Sequence, residues 1–101
     1  MKELKDTIEM MNSADYKERF KAEYDQTKIR YEKLKAFNTK IEAAQATNEC
    51  YPQPYGQTQK PKVEMPKHDC PEYLLREQQR VMGEYLHILE VRAVIEGVEL
   101  N

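Results

Sequence analysis

Residues 14–44 read ADYKERFKAEYDQTKIRYEKLKAFNTKIEAA, 31 residues without a proline or a glycine. Ala, Lys, Glu, Arg and Leu dominate them, and each gives up little freedom in a helix. Phe20, Tyr24, Thr27, Tyr31, Leu34, Asn38 and Ile41 recur alternately four and three apart. That spacing draws one narrow stripe along a helix about 45 Å long at 1.5 Å per residue. A lone helix cannot bury such a stripe, so a second of similar length has to cover it. Residues 71–96 are the one stretch able to do so, and the chain is expected to be an all-α helical hairpin.

The outer segments follow from that pairing. Residues 2–11 place Leu4, Ile8 and Met11 on one face, a short amphipathic helix that holds only when docked. Asn12, Ser13 and Asp15 then break the pattern, and Asp15 with Glu18 makes a capping-box arrangement that starts the long helix. From Gln45 to Asp69 periodicity disappears and Pro52, Pro54, Pro61 and Pro66 accumulate around Gly56. This connection is longer than the usual two to eight residues and is expected to be a mobile loop dispensable for folding. Tyr51 and Tyr55 within it could form a stacking or lid surface, although disorder is the favoured reading. Pro71 suits the first turn of the second helix, residues 70–97 including its caps, and Gly97 suits its end. Leu75, Met82, Leu89 and Ala93 form one apolar line there. Leu74, Val81, Tyr85, Ile88 and Ile95 form an adjoining one. Two lines serve an intrachain partner and an intersubunit one. Gly83 lets another backbone or side chain approach closely. Asn38, near the helix end, is read as partly wet rather than as a register-setting residue.

Composition limits the rest. In 101 residues, 34% charged with a mean hydropathy of −0.92, a single hairpin has too little interior to stand comfortably alone, so self-association is expected. Residues 13–44 carry eight Lys or Arg against six acids, and residues 71–101 three Arg against six Glu. Neither imbalance suits duplex DNA, but a compact anion needs only a few placed cations. With no apolar run of membrane-span length and no signal-peptide core, a soluble cytoplasmic protein without membrane contact is expected. Cys50 and Cys70 read as free thiols, and Cys50, His68 and Cys70 match no standard zinc spacing. No phosphate loop, nucleophile–base set or paired carboxylates stand out, so neither an enzyme nor a cofactor is indicated.

One pattern points to a ligand. Lys17, Lys21, Tyr24, Lys28, Tyr31 and Lys35 share one side of the long helix, with Tyr16, Arg19 and Arg30 towards its amino-terminal half. Cations among rings suit a nucleotide, ammonium meeting phosphate while rings stack on bases. The favoured alternative has the tyrosines at the edge of the core and the lysine stems lying over them.

YKERFKAEYDQTKIRYEKLKAF and, after the loop, CPEYLLREQQRVMGEYLHILEVRA together resemble small phage-encoded helical proteins, including those of crAss-like phages. More distantly they are similar to the phage anti-CBASS cyclic-nucleotide sponges. The resemblance implies a helical hairpin with a kinked amino-terminal segment, built from dimers into hexamers in the host cytoplasm. It also implies sequestration of a cyclic oligonucleotide or similar small anionic signal without cleavage. In the sponges a tyrosine early in the long helix stacks on a base and a lysine further along meets phosphate. Tyr16 and Lys28 stand at comparable places, and Tyr16, Lys17, Arg19, Tyr24, Lys28 and Arg30 are the candidate ligand-binding set. The alternative is an oligomeric helical adaptor that binds a host or phage protein.

Overall fold

The computed structural model describes residues 2–50 and 64–100, and every element among them is helical. A 3-10 turn at Leu4–Thr7 leads into α1, Ile8–Met11. The two long helices are α2, Tyr16–Cys50, and α3, Glu72–Glu96. They fold back on each other as a hairpin, giving a rod 66 Å long and about 25 Å across. Tyr51, Tyr55 and the greater part of the proline-rich connection lie outside the described residues.

Helix α2 begins where the capping residues place it. Asp15 Oδ1 accepts the Lys17 backbone N–H at 3.0 Å, satisfying one of the first-turn donors. Glu18 does not complete the expected capping box; the Asp15 backbone N–H donates instead to Ser13 Oγ at 3.1 Å. The far end differs more. The helix runs to Cys50 rather than ending near Ala44. Residues 45–50 contain no Pro or Gly, and the Gln45 amide donates to Glu72 Oε1 at the start of α3. A contact with the opposing helix thus extends α2 past the end of its apolar stripe.

The seam between the long helices is one side chain thick. Phe20 and Tyr24 from α2 pack against Leu86, Leu89 and Ala93 from α3, with Tyr31 partly buried against them. Gly97 closes α3 in the left-handed conformation, φ 70°, and the Val98 N–H returns to the Ala93 carbonyl at 2.9 Å. That turn brings Val98 into the core and Leu100 to its edge. A Cβ on Gly83 would stand 3.3 Å from Tyr31 Cε1, so the glycine makes room for that ring. Ile41 and Ala44 are buried further along α2.

Asn38 reverses the hydrated reading. It is 3% exposed, and its amide donates to the Leu75 carbonyl at 3.1 Å and to Gln79 Oε1 at 2.9 Å. A buried amide with two named partners has only one satisfactory register, so Asn38 locks α2 against α3.

The amino-terminal segment also docks differently from its expected apolar face. Ile8 and Met11 remain exposed, and Thr7 is the wholly buried residue. Its hydroxyl donates to the Leu4 carbonyl at 2.7 Å and accepts from Gln26 Nε2 at 2.9 Å. Winding as a 3-10 turn rather than an α-helix changes which side chain faces inward. Lys2 ties the start of the segment to the buried Asp25 carboxylate at 2.8 Å.

These contacts set an expected outcome for the seam. Asn38→Ala should lower the unfolding free energy by about 1–3 kcal/mol in urea titrations, because Gln79 and the Leu75 carbonyl lose their donor. Replacing Asn38 and Gln79 together by leucine should recover much of that loss. An unchanged midpoint for the single variant would contradict the locking role.

Candidate functional site

Capping of α2 by Asp15 and closure of α3 at Gly97 bring the two ends together, and Tyr16 stands at that junction. Its ring is about half exposed, and its hydroxyl donates to Glu96 Oε1 at 3.1 Å. That bond, more than its surroundings, pushes the phenol above its ordinary range. Arg92 Nε donates to the other oxygen of Glu96 at 2.7 Å, holding the carboxyl below its usual range. The Arg92 guanidinium also lies over the Phe20 ring, 4.9 Å from its centroid. Lys17 is half-buried beside the same carboxylate and adds to the positive field there. A phenol, a guanidinium and an ammonium therefore converge around one acid.

Two turns along α2, Tyr24 is 5% exposed and forms part of the core. Its hydroxyl donates to Glu90 Oε2 at 2.6 Å. Burial first, and then that bond, pushes the Tyr24 phenol up to about 12. The Lys28 ammonium lies 5.8 Å from the Tyr24 ring centroid, and Lys35 stands at 6.0 Å over Tyr31. Along this line, then, lysines cover rings that the helix interface already uses, as amphipathic side chains do. Tyr16 alone among Tyr16, Tyr24 and Tyr31 is exposed enough to offer a ring to a flat ligand.

The remaining two candidates stand apart. Arg19 donates from its guanidinium to the Ser13 carbonyl at 2.7 Å, fastening the break before α2. Arg30 is exposed but follows Lys28 by only two residues, about 200° round the helix, and the two do not face one ligand.

Two clefts flank Lys28. The larger, about 680 Å³, lies between the amino-terminal segment and α2. Three lysines line it (Lys2, Lys28 and Lys33), but Glu3, Asp25 and Glu32 match them charge for charge around Ile29. The smaller, about 350 Å³, opens where the carboxy-terminal tail crosses the hairpin. Tyr24, Lys28 and Glu90 form its polar side, and Ala93, Val94, Val98 and Leu100 its apolar one. Glu90, Arg92 and Glu96 were missed by sequence reasoning. Their relation to Tyr16 and Tyr24 depends on the antiparallel register, which no linear spacing reveals.

Among the described residues no three His, Cys, Asp or Glu side chains gather as a metal site. His68 Nδ1 donates to the Cys70 carbonyl at 2.6 Å while the ring edges against Phe37, a packing role at the foot of α3. No helix among those residues is long and apolar enough to cross a membrane.

Burial of Tyr24, together with its bond to Glu90, has a measurable consequence. In the unfolded chain the phenol ionises near pH 10, whereas in the folded protein it keeps its proton to about 12. The folded state therefore holds more protons between those values, and stability should fall as pH rises through this window. Urea titrations from pH 9 to 12 should show a shallower alkaline loss for Tyr24→Phe than for the parent. Parallel curves would remove Tyr24 as the cause.

No curated protein and no solved structure matches the chain. A family model described as Sequestin matches residues 14–61 and 55–95. Those overlapping stretches include nearly all of both long helices and most of the 101 residues, so the chain belongs to the Sequestin family.

Proposed function

We propose that this protein is a homo-oligomeric phage sponge that captures a cyclic oligonucleotide or a related small anionic immune signal in the host cytoplasm and holds it without cleaving it. The observation that carries this reading is the exposed Tyr16 ring beside Lys17 and Arg92 in a chain of the Sequestin family. A base can stack on the phenol while the neighbouring cations meet phosphate. The family's name is that of a sequestering protein, and a binder needs no nucleophile or general base.

Helix α3 supports self-association. Leu86, Leu89 and Ala93 are buried against α2, Leu75 and Met82 are half-buried, and Leu74, Val81, Ile88 and Ile95 remain 44%, 47%, 56% and 77% exposed at intervals of seven. An apolar residue every seven is half of the pattern of a helix–helix seam, and the exposed Tyr85 occupies one of the intervening positions. We place a second copy on this face, giving an even subunit count. The same surface would also suit a protein partner of an adaptor, and the binding experiment separates the two readings.

Two measurements test the proposal. Light scattering should report an oligomer for the parent. Ile88→Asp should give a smaller but still helical species, whereas Leu89→Asp, a charge in the hairpin core, should abolish the helical signal. A stable parent monomer at micromolar concentration would refute self-association. Cyclic di- and trinucleotides offered to the protein should come back chemically intact after heat denaturation. Tyr16→Ala should weaken the best binder by about tenfold to a hundredfold, the loss of one stacked base. Lys28→Ala should weaken it and flatten the salt dependence. No binding by the parent to any nucleotide offered would leave the adaptor reading.

A further inference from the structure

The smaller cleft carries a feature that a phosphate site alone does not explain. Its polar side combines the Lys28 ammonium with a carboxylate, Glu90, that would repel any phosphate placed beside it. We propose that this cleft is a base subsite and that Glu90 makes it select guanine over uracil. The inference rests on the sequestering reading and names the part of the ligand that this side of the hairpin takes.

The geometry bears on each part of a nucleotide separately. Ala93, Val94, Val98 and Leu100 supply an apolar wall against which a planar ring can lose its hydration. Tyr24 cannot stack, because its ring is already buried in the hairpin; its hydroxyl instead fixes Glu90 by donating to Oε2 at 2.6 Å. The other oxygen, Oε1, lies 3.9 Å from His87 Nδ1, beyond hydrogen-bond distance, and stays open to a donor. An ionised carboxylate offers about four acceptor positions and no donor, so it reads a base by its N–H groups. Lys28, across the same cleft, is the group suited to the phosphate that follows the base.

That acceptor discriminates among bases. Guanine presents two donors side by side, its ring N1–H and its exocyclic amine; one meets the open Oε1 and the other the acceptor position of Oε2 that Tyr24 leaves unused. Adenine and cytosine place an amine next to a ring nitrogen lone pair and meet the carboxylate with one donor and one acceptor. Uracil flanks its only N–H with two carbonyl oxygens, so acceptors face acceptors. Charge-assisted bonds are the stronger kind, and an acceptor pressed against another without a proton between them costs binding. The cleft should therefore rank guanine first and uracil last.

Calorimetry with cyclic di-GMP, cyclic di-AMP and cyclic di-UMP as probes tests this. The parent should bind the guanine probe at least about tenfold more tightly than the uracil probe. Glu90→Gln keeps an oxygen for Tyr24 but adds an amide donor. It should lose about tenfold for the guanine probe and narrow or reverse the gap to the uracil one. Circular dichroism of the variant should match the parent. Equal parent affinities for all three probes would overturn the base assignment and leave sequestration standing. So would a uniform rise in all three affinities on Glu90→Gln, since Glu90 would then act only through its charge. Failure of the parent to bind any probe would overturn this inference together with the sponge reading.

Discussion

Contact between α2 and α3 along a seam one side chain thick is the constraint on which the molecule depends. Phe20 and Tyr24 meeting Leu86, Leu89 and Ala93 is most of the interior that a single hairpin can offer. Burial at roughly 25 cal/mol per Å² needs a wide interface to outweigh the entropy of ordering two long helices. A seam this narrow must therefore be held in a single register, because a slip along it would lose little apolar contact. Polar groups do that work. Asn38 with Gln79, Tyr24 with Glu90 and Tyr16 with Glu96 are spaced along the hairpin, and each has its partner in one alignment only.

The same pins determine which groups are left exposed. A tyrosine used to hold the helices together is a poor stacking surface, and that is the position of Tyr24. Tyr16 lies where the seam ends, so its hydroxyl can hold Glu96 while its ring stays open to solvent. Carboxylates from α3 sit beside cations and phenols from α2, which makes the surface one of mixed charge rather than a plain anion trap.

The outer face of α3 and the exposed Ile8 and Met11 of α1 show what the hairpin leaves uncovered. Small rods cannot bury all their apolar side chains against themselves, since surface grows relative to volume as thickness falls. Leu74, Val81, Ile88 and Ile95, seven apart, form an exposed apolar line along α3.

By itself the sequence determined the elements: two long helices from their proline-free, helically spaced stretches, the break before α2, and the stop at Gly97. These are local properties, set by backbone propensity and by residues three and four apart on one chain. Leu89 and Ala93 of the second helix were legible for the same reason, whereas Leu86, buried beside them, stood in neither apolar line. Only the tertiary structure decided which line faces inward, that Asn38 is buried, that Thr7 rather than Ile8 docks the amino-terminal segment, and that α2 continues to Cys50. It alone placed Arg92 and Glu96 at Tyr16, and Glu90 at Tyr24. Each of these depends on what lies across the hairpin, and residues up to 80 apart in the chain meet only after the antiparallel register has been chosen.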